Sequence, residues 1–398
     1  MLAWMRWVVI ILFGLQAIGS SAMAVERDLL RYQARYSLCH GKSDFQIAVC
    51  LINGNLNLSR LRGDHTAYRY ISPSRIRKEI TKEDPFSYVM RHMPQTRRYR
   101  ALKAYLDYLY DIEPYYFPPR FKGDAAEDMV RMKRIFNLLM QTRLEETPER
   151  TPDFDAALLA YQRRHGLTPD GKIGPRTRRE MKRPLRSIIG KIKKNLTWER
   201  VSQPKPPTSI VVNIPEYRMY FYRNGREILH MKTVVGKPKM RTPLFHRDMQ
   251  YIILNPRWYV PPSIYHKEYK NKSPEYLRRR GFAYDSNGRL YQKPGRRNAL
   301  GKVKFLFPNR FNVYMHDTPS KSLFKRTIRA FSHGCIRLEK PLALLHALGY
   351  AYQPGVTRRI TLKEQIPVFI EYHTVWVDEK GIVQFRPDIY GYERKLFY

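Results

Sequence analysis

The chain has 398 residues, 43% of them apolar, enough for more than one packed core and too many for one small domain. Lys and Arg outnumber Asp and Glu by 73 to 35, a formal charge of +38 spread along the chain rather than gathered in a tail. Such a surface attracts polyanions but does not choose between nucleic acid, anionic lipid and acidic glycopolymer, so the compartment has to decide.

The N-terminus predicts export. Met1 to Arg6 is a short positive start, and Trp7 to Gly19 is an apolar run broken only by Gln16. Ala22-Met23-Ala24 then offers small residues at a cleavage site, followed by charged Glu26-Arg27-Asp28. This is the layout of a signal peptide over residues 1–24. The apolar run is shorter than the roughly 20 residues that span a bilayer, and no later segment is apolar enough to do so. Export makes nucleic acid an unexpected partner and leaves anionic envelope polymers or lipids as counter-charges. Cys39 and Cys50, eleven residues apart, either close a small disulfide loop or sit buried as small apolar side chains. Cys335 is then the odd thiol.

Residues 25–123 read as a helical scaffold region without evident chemistry. Tyr99, Leu102, Tyr105, Leu106 and Leu109 recur at helical spacing, and Tyr115-Tyr116-Phe117-Pro118-Pro119 reads as a boundary. Residues 124–187 form a compact unit of three predicted helices. Met129, Met132, Ile135, Phe136 and Leu139 stripe the first, and Phe154, Ala157, Leu158 and Tyr161 the second. Gly166 to Thr177 is a turn-rich link into the third. Tyr161-Gln162, Gly166-Leu167, Asp170-Gly171, Gly174 and Thr177 resemble the signature of the three-helix peptidoglycan-binding module. That signature encodes turns and packing more than ligand contacts.

Residues 188–207 are expected to be a basic, proline-containing linker. From residue 208 to 398 the pattern switches to strands, at Ser209–Ile214, Tyr217–Tyr222, Ile228–Val235, Tyr251–Leu254, Lys304–Phe307 and Asn312–His316. Asn224-Gly225 marks one hairpin turn, and Glu379-Lys380-Gly381 marks another between Val368–Asp378 and Ile382–Phe385. Residues 262–300 interrupt this domain with an Arg- and Tyr-rich stretch lacking strand pattern, long enough to form a lid over a cleft. The fold expected is thus multidomain α+β.

Two segments carry chemistry: Tyr314-Met315-His316-Asp317-Thr318 and Ser332-His333-Gly334-Cys335-Ile336-Arg337. A cysteine nucleophile needs a base, a group orienting the base, and N–H donors for an oxyanion. Gly334 lets the backbone around Cys335 turn its amides toward a substrate carbonyl. His316, at a strand exit, or His333 can take the thiol proton. Arg337 can hold a carboxylate or favour a thiolate. His316, His333 and Cys335 would also make three zinc ligands, but a fourth at suitable spacing is missing, so neither a metal nor any other cofactor is expected.

These segments resemble the L,D-transpeptidase catalytic domain. Further matches are Val211 to Pro215, Val235-Gly236-Lys237-Pro238, Thr242-Pro243-Leu244-Phe245, Leu254 to Pro262, His316 to Lys321, and Asp388-Ile389-Tyr390-Gly391. With the helical regions, they resemble the long, multidomain branch of Gram-negative envelopes, which implies a periplasmic protein. The resemblance implies that Cys335 forms a thioester with a peptidoglycan tetrapeptide donor, releases D-alanine, and passes the acyl group to a diaminopimelate amine as a 3→3 crosslink. It implies His316 as the base of Cys335, with Ser332, His333, Gly334, Arg337 and Tyr314 binding substrate or the oxyanion. Residues 262–300 then stand where the family's capping subdomain lies. Trp258 and Tyr259 either line the cleft or belong to a core. Water or a lipoprotein lysine as acceptor, or a non-catalytic wall-binding role, remain open readings.

Overall fold

The computed structural model describes residues 28–121 and 125–397. The predicted signal peptide lies outside the described residues. Among the described residues helices occupy the chain as far as Val201, and the remainder is rich in strands, an α+β arrangement. Among the described residues no helix is long and apolar enough to cross a membrane.

The first five α-helices among the described residues are α1 (Leu29–Tyr36), α2 (Asp44–Asn53), α3 (Pro73–Ile80), α4 (Pro85–His92) and α5 (Arg97–Asp111). Each begins at an Asp, Ser or Thr whose side chain accepts a backbone N–H of the first turn, and α3 and α4 have proline there, so their starts are written in the sequence. Cys39 and Cys50 are joined as a disulfide, with their Cα atoms 5.9 Å apart, tying α2 to the loop before it.

Three helices follow: α6 (Ala125–Met140), α7 (Pro152–Arg164) and α8 (Pro175–Met181). Phe136 stacks on Phe154 at 5.6 Å and meets Tyr161 at 5.1 Å. The buried Gln162 spends its amide on the following turn: Nε2 donates to Asp170 Oδ1 and Lys172 O, and Oε1 accepts from the Gly171 N–H. The Tyr-Gln and Asp-Gly parts of the motif therefore hold one another.

The expected linker is instead helix α9 (Leu185–Val201). Its lysines disguise an apolar face. Leu185, Ile188, Ile189, Ile192 and Leu196 enter the helical core, while Trp198 and Val201 enter the core of the strand-rich domain.

Strands β1 (Ser209–Asn213), β2 (Arg218–Arg223), β3 (Arg226–Gly236) and β4 (Phe245–Leu254) come next. The stretch expected to lack strands contains β6 (Phe282–Tyr284) and β7 (Leu290–Gln292), which pair with β5 (Trp258–Tyr259) as a separate three-stranded sheet. Strands of two or three residues are too short to show alternation. Val260, Leu277, Phe282 and Leu290 form a small core of their own, against which Trp258 packs; Tyr259 is exposed. The main sheet continues with β8 (Val303–Leu306), β9 (Met315–His316), β10 (Ala330–Ser332), β11 (Ile336–Leu338) and β12 (Arg358–Glu371). β3 pairs with β2, β10 and β11, so the order β3-β11-β9-β8-β4-β12-β1-β2 returns to β3 and the sheet closes on itself. Met219, Phe221, Ile252, Phe305, Met315, Ile336 and Ile370 point into it.

The long strand expected over Val368–Asp378 breaks after Glu371. The chain leaves the barrel at Tyr372-His373-Thr374 to form a separate hairpin of β13 (Val375–Val377) and β14 (Val383–Phe385). That hairpin packs into the helical core.

Candidate active site

The site begins with strand register. β11 lies parallel to β9, with Ile336 opposite Met315 and Arg337 opposite His316, and the Ile336 N–H donates to Tyr314 O at 3.0 Å. Met315 and Ile336 fill the barrel core, so alternation turns their neighbours to the other face. Tyr314 and His316, on either side of Met315, and Cys335 and Arg337, on either side of Ile336, therefore share one outward patch. The Tyr314 and His316 rings stand 5.5 Å apart.

His316 is buried, and its Nδ1 is hydrogen-bonded to the carbonyl of Asp317. A carbonyl only accepts, so Nδ1 carries the proton and Nε2 keeps its lone pair. Burial pushes the imidazole down to about 3, and Arg337, Lys304 and Lys321 push the same way against the Asp317 hydrogen bond. His316 is thus a neutral base at neutral pH. Asp317 is buried as well. Its carboxylate accepts from the Lys302 and Thr318 N–H groups and from Lys321 Nζ at 2.7–2.8 Å, which holds the segment carrying His316.

Cys335 is a free thiol, partly buried, with Sγ 3.7 Å from Asn312 O. Burial raises its pKa; the Tyr314 N–H, Lys304, the Tyr314 hydroxyl and Arg337 act in the opposite sense. A thiol raised by burial stays protonated near neutrality and needs a base.

The turn bearing Cys335 is braced on all sides. Ser332 Oγ donates to Cys335 O at 2.6 Å and accepts from the Gly334 N–H at 3.1 Å. Gly334 has φ +127°, a conformation that side chains rarely adopt. Thr242 Oγ1 donates to Gly334 O at 2.8 Å and accepts from the Gly236 N–H at 2.9 Å. Tyr390 Oη donates to Gly236 O at 2.7 Å and accepts from the Thr242 N–H at 3.0 Å. The motifs near residues 236, 242 and 390 thus converge on one turn.

Two sequence expectations change here. The Gly334 N–H, expected to face an oxyanion, is engaged by Ser332, whereas the Cys335 N–H has no acceptor among the described residues. His333 turns to the 262–300 insertion, its Nε2 2.8 Å from Glu268 Oε1. The structure also adds Lys304, which sequence reasoning missed. Lys304 is the cross-strand partner of His316, and its ammonium lies 3.8 Å from the centre of the Tyr314 ring. Its only trace in the sequence is a polar residue between Val303 and Phe305, indistinguishable from a solvated strand position. No cluster of three or more metal-ligating side chains occurs among the described residues.

Residues 207–361 match the family described as the L,D-transpeptidase catalytic domain. The match falls on the strand-rich part of the chain, over the segments that carry His316 and Cys335. A Haemophilus influenzae relative, provisionally named an L,D-transpeptidase, is 32% identical over 221 residues, 47% of this chain and 45% of its own. The chain therefore spans less than half the length of that relative. Among solved structures, an L,D-transpeptidase from Mycobacterium smegmatis is 17% identical with a TM-score of 0.25, covering 42% of this chain and 58% of that one. The catalytic domain of an E. faecium L,D-transpeptidase, acylated by ertapenem, is 16% identical with a TM-score of 0.26, covering 42% of this chain and all of that one.

Proposed function

We propose that the protein forms 3→3 crosslinks between peptidoglycan stem peptides in the periplasm, with Cys335 as nucleophile and His316 as general base. The observation that carries this reading is the shared face of β9 and β11, where a neutral imidazole with a bare Nε2 stands beside the free thiol's turn. His316 Nε2 takes the Cys335 proton as Sγ attacks the carbonyl of the third-position diaminopimelate of a tetrapeptide. The tetrahedral oxyanion takes a hydrogen bond from the Cys335 N–H. His316 returns the proton to the departing D-alanine amine, leaving a thioester. The side-chain amine of a second diaminopimelate attacks that thioester, loses its proton and restores the thiol. Arg337 meets a stem carboxylate, Tyr314 lines the cleft, and Ser332 fixes the nucleophile's turn.

The 262–300 insertion serves as the cap, a role supported by its approach to His333 through Glu268. Residues 124–187 act as a peptidoglycan-binding-like module, and the +38 charge holds the protein to anionic envelope polymers. The deciding experiment is digestion of tetrapeptide-rich sacculi with the wild type and Cys335→Ala. A 3→3 dimer formed by the wild type alone supports the proposal. Tripeptide without dimer would make water the acceptor, and dimer formation by Cys335→Ala would remove Cys335 from the chemistry.

A further inference from the structure

The patch around Cys335 holds more positive charge than the proposed chemistry has used. Two cations, Lys304 and Arg337, share the outward face with His316, and among the described residues neither has a carboxylate or hydrogen-bond partner. The cations nearby differ: Lys321 pairs with Asp317 at 2.7 Å. In a protein this basic a lone surface lysine means little, but Lys304 is not at the free surface. It is half-buried on β8, and its stem crosses diagonally to rest the ammonium on the face of Tyr314, the strand neighbour of Cys335. A cation on an aromatic face is attracted by the ring's quadrupole, which fixes its position without neutralising it. A half-buried cation without a counter-ion is costly, and the arrangement becomes favourable when a negative charge appears next to it.

We propose that Lys304 is a positioning residue of this site: its ammonium, held on the Tyr314 ring without a carboxylate of its own, is the counter-charge for the Cys335 thiolate. The inference rests on Cys335 being the nucleophile. The proton leaves Sγ for His316 Nε2, so an imidazolium and a thiolate form together. Lys304 disfavours the first and stabilises the second, and the pair stays balanced only because both charges arise in one step. The other charged or titratable groups facing Cys335 are Tyr314 just before β9, His316 on β9 and Arg337 on β11; Glu268 of the insertion is taken up by His333.

The test is the pH profile of Cys335 alkylation by iodoacetamide, a neutral probe that needs no wall substrate. It uses the full chain, in which Cys39 and Cys50 are bridged, with Cys335→Ala as the blank. Lys304→Met should move the midpoint of the profile upward and slow alkylation at pH 7 about tenfold, the equivalent of one pH unit. Lys304→Arg should restore the wild-type midpoint. A Lys304→Met profile that superimposes on the wild type, with only KM for stem peptide raised, would make Lys304 a carboxylate binder and overturn the proposal. So would a Lys304→Arg profile displaced from that of the wild type, a result that stands even if Lys304→Met fails to fold. Failure of the transpeptidase reading would look different: a wild type with the expected alkylation profile but no action on sacculi.

Discussion

Burial and the cations Arg337, Lys304 and Lys321 hold the His316 imidazole down to about 3, and this has a consequence for stability as well as for the proposed chemistry. In the unfolded chain the same group takes a proton near its ordinary value of 6.5. Between those values the unfolded state binds more protons, so the contribution of His316 is complete above pH 6.5 and is lost as pH falls towards 3. From pH 6.5 to 5 the loss is about 2 kcal/mol. Chemical denaturation at the two pH values should therefore show a stability drop in the wild type that exceeds that of His316→Gln by about this amount; equal drops would show that His316 is not held neutral. Ser332 acts through geometry alone. Ser332→Ala removes the bridge between the Gly334 N–H and Cys335 O, and about tenfold or more should be lost from kcat with KM little changed. Burst-phase kinetics with a carbapenem would separate a slowed acylation from weaker binding. Cys335 and His316 stood out in the sequence because the nucleophile and base proposed for this site must be one of few residue types at a fixed relation. Lys304 was not, because an outward lysine on a strand looks the same whether it faces water or an active site.

At the scale of elements, legibility followed length and the clarity of period. The 15 residues of α5 and the 13 of α7 carry several turns of apolar spacing and a threonine cap, and each contains the whole apolar stripe expected of it. α9 was hidden by its lysines, of which Lys191 is buried with its Nζ reaching the Arg386 carbonyl. β10 and β11 have only three residues each, and their pairing with β3 and β9 is a tertiary fact that no local pattern contains. The turn between them is nonetheless tightly held, by hydrogen bonds to Ser332 and Thr242. At φ +127° a Cβ on Gly334 meets no neighbour closer than 3.7 Å, so the obstacle to substitution is backbone conformation rather than space. Gly334→Ala should cost about 1–3 kcal/mol of stability if the turn holds, and far more activity if it relaxes. A melting shift without loss of activity would mean that the turn does not need this conformation. The Cys39–Cys50 loop lies far from this turn in sequence and closes 11 residues, so Cys39→Ala/Cys50→Ala should lower stability by about 3 kcal/mol while leaving the alkylation profile of Cys335 unchanged.

On the scale of the whole molecule, the helical and strand-rich halves are not beads on a string. The β13–β14 hairpin belongs by sequence to the catalytic half but lies in the helical core, where Phe385 stacks on His165 at 4.9 Å and Arg164 Nε donates to Val383 O at 2.6 Å. Asn195 of α9 binds the start of the hairpin, donating to Thr374 Oγ1 and accepting from the Thr374 and Val375 N–H groups. In return, α9 lends Trp198 and Val201 to the barrel core. A fragment of residues 208–398 would expose Val375, Val377, Val383 and Phe385, all buried in the intact chain. At about 1.5–3 kcal/mol for each side chain, the loss is on the order of 6–12 kcal/mol, comparable with the entire stability of an ordinary domain. The fragment should therefore bind a hydrophobic dye and melt far below the full chain, or fail to fold, even though it contains every residue assigned to catalysis. The full chain should unfold in one transition, with calorimetric and van't Hoff enthalpies in agreement. A fragment that melts with the full chain and alkylates Cys335 with the same pH profile would show instead that the hairpin's packing is incidental and that the helices serve only to place the enzyme.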